Sequence, residues 1–452
     1  AITVDLWAPE GGTRRFGNGA AKTHALVLDF SGAAPADQAA AFETPVILDP
    51  GSDWYATSRG LGEMPVPSSE TARMDALYEQ ACQRRLTERE RRWKSSYGMV
   101  NFGDIGHINS EIDAHVALFL QWGRTGDRKW LDFALDWALH SQDIDVCHHS
   151  ANPRQVGIHH SHYPSDHNNG GLTLTHTWIR GQLFRYYLTG DRRSLMAAEK
   201  AGRAYAVNML ATGQAFDAGR LGGGIGSRAY GRACWALAEL YQTNRNPRHL
   251  KTMRQLLSYL AASLREDGAV PASHDGAGEW NKRDECPHMA AICAVGMARY
   301  AELSGDTSLQ SELERIARWQ ISRGGMPEKL GIMYHNYPGG ETIHFIDACS
   351  DMLEAWAYLY DATGDPLYRS IAESVYDNMI EMAPRWVNDW TMGARNVLFY
   401  LGRRQRWPPW SVQSLSKTEN ATRWLQRCQN TDGGFSITQG LKSRHPCSGN
   451  AA

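Results

Sequence analysis

The sequence predicts a mainly α protein, an (α/α)5–6 toroid of helical hairpins preceded by a small β-sandwich-like segment, and three observations predict it. First, Thr125-Gly126-Asp127 recurs at Thr189-Gly190-Asp191, as Ser304-Gly305-Asp306 and at Thr363-Gly364-Asp365, with a degenerate copy at Thr243-Asn244-Arg245-Asn246. Successive copies lie about 55 to 65 residues apart, the length of a helical hairpin with its loop. Second, an apolar helix-period segment precedes each copy: Ala114 to Trp122, Trp178 to Leu188, Ala229 to Tyr241, Met289 to Leu303 and Phe345 to Tyr360. Third, a more charged amphipathic segment follows, as at Arg128 to His140, Arg192 to Leu210 and Pro366 to Met382. Buried inner helices alternating with solvated outer ones are what a closed ring requires. An open α-solenoid is the competing architecture.

Each tripeptide can end one helix and start the next. Glycine suits the left-handed position after a helix, and the following aspartate can accept hydrogen bonds from the first amides of the next. A sixth pair is expected from Trp390 to Gly402, partnered either by Ser414 to Asn430 or by an early helix over Ser69 to Lys94. The domain reading is 1–68 as a β-rich segment, with strands at Thr3 to Trp7, His24 to Phe30 and Pro45 to Leu48; 69–411 as the toroid; and 412–452 as a C-terminal helix and tail. Trp407-Pro408-Pro409-Trp410 breaks the chain between the last two.

Composition narrows the function. The chain has 452 residues and a formal net charge of −2, without the clustered basic excess that nucleic-acid binding needs. No apolar run approaches the roughly 18 residues of a membrane span. The first residues read as if inside a strand, so a leader could precede them; a periplasmic or secreted location is favoured and a cytoplasmic one stays open. Eight cysteines without a C-x-x-C pair read as buried thiols. Sixteen tryptophans, many beside Arg, Asp or His, suit sugar stacking as well as core packing.

Seven of the seventeen histidines fall between His148 and His176, in a loop that a toroid would place at the mouth of its cavity. Asn168-Asn169-Gly170-Gly171 permits close backbone approach there. The inner segments also start with polar groups: Asn109, Glu111 and Asp113; His176; Arg228 and Arg232; His288; His344, Asp347 and Asp351. Three chemistries are compatible with this supply. A divalent metal could take His159, His160 and His162, though the spacing matches no strict ligand motif and the sequence requires no cofactor. Proton abstraction next to a uronic acid carboxylate needs a base, a cation on the carboxylate and an acid for the leaving oxygen; His148, His162, His176, Tyr230, Tyr334 and Arg154 are the candidates. Glycoside hydrolysis needs two carboxyl groups, available among Asp104, Glu111, Asp113, Glu285, Asp347 and Asp351. Substrate contacts are expected from Asn109, Glu111, His149, His167, Trp178, Arg228, Arg232, His288 and His335. The glycine-rich run Arg220 to Gly226 reads as an inter-helix loop, since no Lys-Ser/Thr follows it.

Tyr97-Gly98, Asn101-Phe102-Gly103-Asp104, Asn109-Ser110-Glu111, Asp143 to His148, His162 and His176-Thr177-Trp178 through Thr189-Gly190-Asp191 resemble the toroid region of bacterial polysaccharide lyases similar to exo-acting rhamnogalacturonan lyases. The resemblance covers roughly residues 90 to 365. It implies a β-sandwich region ahead of the toroid and β-elimination at a uronic acid in an acidic polysaccharide. A hydrolase on the same toroid and a non-catalytic glycan-binding toroid are the alternatives.

Overall fold

The computed structural model describes residues 19–30, 32, 34–43, 46–96, 101–102, 107–108, 113–160, 172–210, 227–271, 287–326, 331–335, 342–343, 347–382 and 390–408. Fourteen α-helices occur among them. Two short ones, α1 (Pro35–Glu43) and α2 (Ser52–Ser58), precede the long α3 (Ala72–Ser96). There follow α4 (Ala114–Thr125), α5 (Arg128–His140), α6 (Arg180–Thr189), α7 (Arg192–Leu210), α8 (Ser227–Asn244), α9 (Pro247–Ser263), α10 (Pro287–Ser304), α11 (Gln310–Trp319), α12 (Asp347–Thr363), α13 (Pro366–Met382) and α14 (Trp390–Arg404).

The even-numbered helices from α4 to α14 pack each on the next, and α14 returns to α4, so six inner helices close a ring. Five hairpins supply α5, α7, α9, α11 and α13 to the outside. The sixth outer place is taken by α3, which packs on both α14 and α4; of the two partners expected for the last inner helix, the early one closes the ring. The Ser414 to Asn430 alternative lies outside the described residues. Burial follows the layers. Every residue of α10 from Pro287 to Ala298 is buried, as an inner helix surrounded by protein must be, whereas outer α11 buries only Leu313, Ile316, Ala317 and Trp319. Trp122, Trp130, Trp137, Trp319 and Trp356 are among the largest fully buried side chains, so packing claims a large share of the tryptophans.

The recurring tripeptide does the capping expected of it. Gly126, Gly190, Gly305 and Gly364 have φ of 70°, 70°, 71° and 67°. In each case the aspartate after the glycine accepts from the amide two residues on, as Asp127 does from Lys129 N (3.1 Å) and Asp365 from Leu367 N (2.9 Å). The preceding hydroxyl also turns back onto its helix, Thr125 Oγ1 donating to Gln121 O (2.8 Å) and accepting from Asp127 N (3.2 Å). At the degenerate copy Arg245 itself occupies the left-handed region, with φ 55°.

Short strands lie in the connections at the opposite end of the ring: β1 (Asn101–Phe102) with β2 (His107–Ile108), β3 (His159–His160) with β4 (Leu172–Thr173), and an antiparallel β5 (Gly325–Met326), β6 (Gly331–His335) and β7 (Thr342–Ile343). The strands expected near the N-terminus need correcting. Thr3 to Trp7 lies outside the described residues, but 24–30 and 46–48 form no ladder, and α1 and α2 are helical. Leu26, Leu28, Phe30, Val46 and Leu48 are exposed: an alternating pattern makes a strand only where a neighbour supplies the ladder, and none does so among the described residues.

Residues 59–64 instead plug the ring where the short turns lie. Leu61 and Met64 are buried, Leu61 beside Gly123 of α4 and Met64 beside Gly402 of α14. A Cβ on Gly402 would stand 2.9 Å from Met64 N. Glu63 accepts from Arg406 Nη1 and Nη2 at 2.7 and 2.9 Å and fixes the plug to the last inner helix's end.

Candidate active site

Because the tight turns occupy one end, the long connections and the N-terminal starts of the inner helices share the other. The start of α6 is set by Asp113, whose carboxylate accepts from Arg180 N (2.9 Å) and Gly181 N (3.3 Å) and so caps the neighbouring inner helix. The same carboxylate lies 3.0 Å from His115 Nε2, both side chains being buried. Burial lowers the His115 pKa, opposed by Asp113 and Asp145. Gly181 is required here, since a Cβ would overlap the His115 ring.

Just before α6, Thr173 caps a turn of 3-10 helix over Leu174–His176 and delivers His176 and Trp178. His176 is buried, with Nε2 3.1 Å from Arg228 Nη1. An arginine can only donate, so Nε2 is the acceptor and the proton of a neutral ring resides on Nδ1. Arg228 also donates from Nε to Met289 Sδ at 3.0 Å, bridging the starts of α8 and α10. One turn along α8, the Arg232 guanidinium stands 4.3 Å from the centre of the Trp178 ring and 4.1 Å from that of Trp235. Arg395 of α14 meets the same rings at 5.5 and 4.0 Å. Asn396 donates to the buried Asp351 of α12, and His288 is buried in the first turn of α10. His176, Trp178, Arg228, Arg232, His288, Asp351 and Arg395 thus come from the starts of α6, α8, α10, α12 and α14.

The remaining predicted residues are distributed differently. His148 is half-buried, with Nε2 2.6 Å from Gln142 O and Nδ1 3.3 Å from Lys200 Nζ of the outer helix α7; desolvation lowers its pKa. His149 and the Arg154 side chain are exposed, and the Arg154 carbonyl accepts from Asn208 of α7 at 2.8 Å. Tyr230 is 1% exposed and belongs to the hydrophobic core. Tyr334 and His335 end strand β6, which packs on α10 and α12. Asn109, Glu111, His162 and His167 lie outside the described residues.

Among its described residues the histidine-rich stretch divides between His148 against α7, His159 and His160 on β3, and His176 beside Arg228. His159 and His160 are buried on β3; His159 Nδ1 accepts from Trp178 N at 3.4 Å, and its Nε2 has no hydrogen-bond partner among the described residues. Burial pushes the His159 pKa down to about 3, so this ring is neutral at physiological pH. No group of three or more His, Cys, Asp or Glu side chains placed to hold a metal ion occurs among the described residues.

Sequence reasoning missed Trp235 and Arg395. The rule that inner helices begin with polar groups would have found Arg395 had it been carried to the last helix, where Met392-Gly393-Ala394-Arg395 opens α14. Below this layer the charges pair. Arg299 donates to Glu354 from Nε (2.6 Å) and Nη2 (3.0 Å) and to Glu239 from Nη1 (3.1 Å). Arg180 Nε lies 3.5 Å from Glu239. Beyond them, at the short-turn end, a cavity of about 550 Å³ is lined by Arg59, Glu63, Tyr187, Arg245, Glu302 and Arg403 together with this ladder.

No family model and no curated protein matches the sequence. Solved structures do match its fold. An unsaturated glucuronyl hydrolase specific for heparin aligns with a TM-score of 0.52 at 12% identity, over 73% of this chain and 98% of its own. Cellobiose 2-epimerase from Spirochaeta thermophila aligns at 0.50 and 9% identity, over 75% and 99%. A polysaccharide lyase aligns at 0.47 and 12% identity, over 75% and 99%. At such identities the likeness establishes the α/α toroid and leaves the reaction to the residues.

Proposed function

We propose that the protein is a carbohydrate-active enzyme of the toroid region, residues 69–411, that cleaves a uronic-acid-containing polysaccharide or oligosaccharide by β-elimination. The observation that carries this reading is the His176–Arg228 contact, set beside Arg232 and Trp178 at the open ends of the inner helices. Elimination removes the proton at C5 of the uronate, forms the C4–C5 double bond and expels the C4 oxygen with its electron pair. The C5 proton becomes acidic enough only when the carboxylate is neutralised. A neutral imidazole whose lone pair is held by an arginine fits this sequence. A uronate carboxylate entering would draw Arg228 to itself and free Nε2 as the base. Trp178, buried beside the Arg232 guanidinium, fixes that cation's position. The proton for the leaving oxygen falls to Tyr334, since Tyr230 is enclosed in the core.

A second reading, hydrolysis, rests on Asp351, a buried carboxyl on the same wall. One measurement separates the two. Incubation with uronic acid polysaccharides should produce absorbance in the near ultraviolet from a 4,5-unsaturated product, and His176→Gln should lower kcat by roughly 10²- to 10⁴-fold. New reducing ends without that absorbance favour hydrolysis and overturn elimination. Altered sugar configuration without cleavage, or binding without turnover, overturns both.

A further inference from the structure

Among the described residues at this end, Arg395 has no ion pair with a carboxylate, and its side chain makes one hydrogen bond, from Nε to Asn396 Oδ1 at 3.0 Å. It rests against Trp235 and Trp178, and Arg232 rests against the same two rings. Of the nearby carboxylates, Glu354 and Glu239 hold Arg299, while Asp351 accepts from the Asn396 amide and acts on Arg395 only through space. Desolvation, with Arg299, Arg232 and Arg180 around it and Asp351 opposing, pushes the Arg395 pKa down to about 9. The guanidinium remains charged at neutral pH, because burial and the neighbouring arginines lower its pKa without reaching the neutral range. Arg395 is nevertheless only partly buried, so the free edge of its fork can be reached. Two guanidiniums held against two buried indoles form a receptor for a planar anion: the indoles fix the forks in place and the forks take the oxygens.

We propose that Arg395, paired with Arg232 across Trp178 and Trp235, forms an anion subsite that takes the carboxylate of a second uronic acid residue, not the one drawn to Arg228, and makes the protein prefer a charged to a neutral sugar. The inference rests on the uronate reading above and names the residue that enforces it. Arg395 is absent from the proton-transfer step, so the two ideas fail separately.

The test is calorimetric titration with a glucuronic-acid-containing oligosaccharide and its carboxyl-reduced, neutral counterpart. Wild-type protein should bind the uronide at least ~10-fold more tightly. Arg395→Gln should weaken uronide binding by roughly 10- to 100-fold, the loss of a charge-assisted hydrogen-bonded pair, and leave the neutral ligand within about 2-fold. Arg395→Lys keeps the charge without the fork and should give an intermediate loss; it carries the same contrast if the glutamine variant does not fold. Equal weakening of both ligands, or no weakening of either, would overturn the subsite. Uronide elimination with this preference intact in Arg395→Gln sinks the subsite alone. A wild-type protein that turns over only neutral sugars sinks the uronate reading as well.

Discussion

The two ends of the helix ring are built on opposite rules. At the short-turn end one tripeptide recurs, its side chains serve the backbone, and the acids that line the cavity are answered by arginines: Glu63 by Arg59 and Arg406, Glu302 by Arg403, Glu239 and Glu354 by Arg299. At the other end, among the described residues, buried histidines are stripped of water and Arg395 makes no ion pair with a carboxylate. Paired charge closes one mouth; on the proposed reading, the incompletely paired charge at the other is where a ligand would complete it.

Breaking the pairing should give the largest effect. Arg299 is the hub between the two regimes, and Glu354 beneath it is 1% exposed. Arg299→Leu leaves that carboxylate buried without its cation, and the expected loss is about 3–5 kcal/mol, read from chemical denaturation. Glu354→Gln added to Arg299→Leu should recover part of it, because the buried charge is then gone. If the single variant loses no more than a surface substitution would, the ladder is not what holds the closed end.

The open end can be broken sterically. Gly181→Ala places a methyl group against His115 and should cost about 1–3 kcal/mol as α6 or the imidazole moves aside. Trp178 lies three residues ahead of this glycine, so the cost should be accompanied by weaker saccharide binding. Unchanged binding with the full stability loss would mean that the capping of α6 and the placement of Trp178 are independent.

These elements also mark what was legible in the sequence. The ring was, because the tripeptide, Gly126 and Asp127 among its copies, acts within a few residues of itself and its signal is local. The α3 closure remained one of two choices, since it joins residues about 300 positions apart and periodicity carries no partner. His176, Trp178, Arg228 and Arg232 share one end of the ring because they stand at the starts of apolar segments. His148 and Arg154 looked equivalent to them, yet their contacts run to outer α7; whether a loop residue turns inward is decided by packing that no local pattern encodes. Strand signals at 24–30 failed for the same reason, a strand being a property of two segments.

Acid should separate the two ends by pH. His159, His115 and His148 have native pKa values below the ordinary 6.5 of histidine because burial disfavours the imidazolium. The unfolded chain then binds more protons than the native one below about pH 6.5, and stability present above that value is lost as pH falls toward the native values, about 3 for His159. Each such histidine contributes a slope of up to ~1.4 kcal/mol per pH unit in that window. Urea denaturation of wild type and His159→Gln between pH 7 and 4 checks it: the variant should show the shallower dependence. Parallel curves would place the acid sensitivity elsewhere.

The smallest effect belongs to the one turn that departs from the repeat. Arg245 holds φ 55°, where the other four turns have glycine, and a side chain there costs roughly 1–2 kcal/mol in the left-handed region. Arg245→Gly relieves that cost but gives the unfolded chain more freedom, worth ~0.5–1 kcal/mol in the other direction. The guanidinium also loses its place 5.6 Å from the centre of the Tyr241 ring, a contact worth ~0.5–1 kcal/mol at an exposed site. The terms nearly cancel, so thermal unfolding should move by no more than ~1 kcal/mol in stability. A clear gain would show that the chain tolerates backbone strain at Arg245 for something other than folding, at the rim of a cavity whose other charges are paired. A clear loss would show that Arg245 holds the closed end through more than the turn.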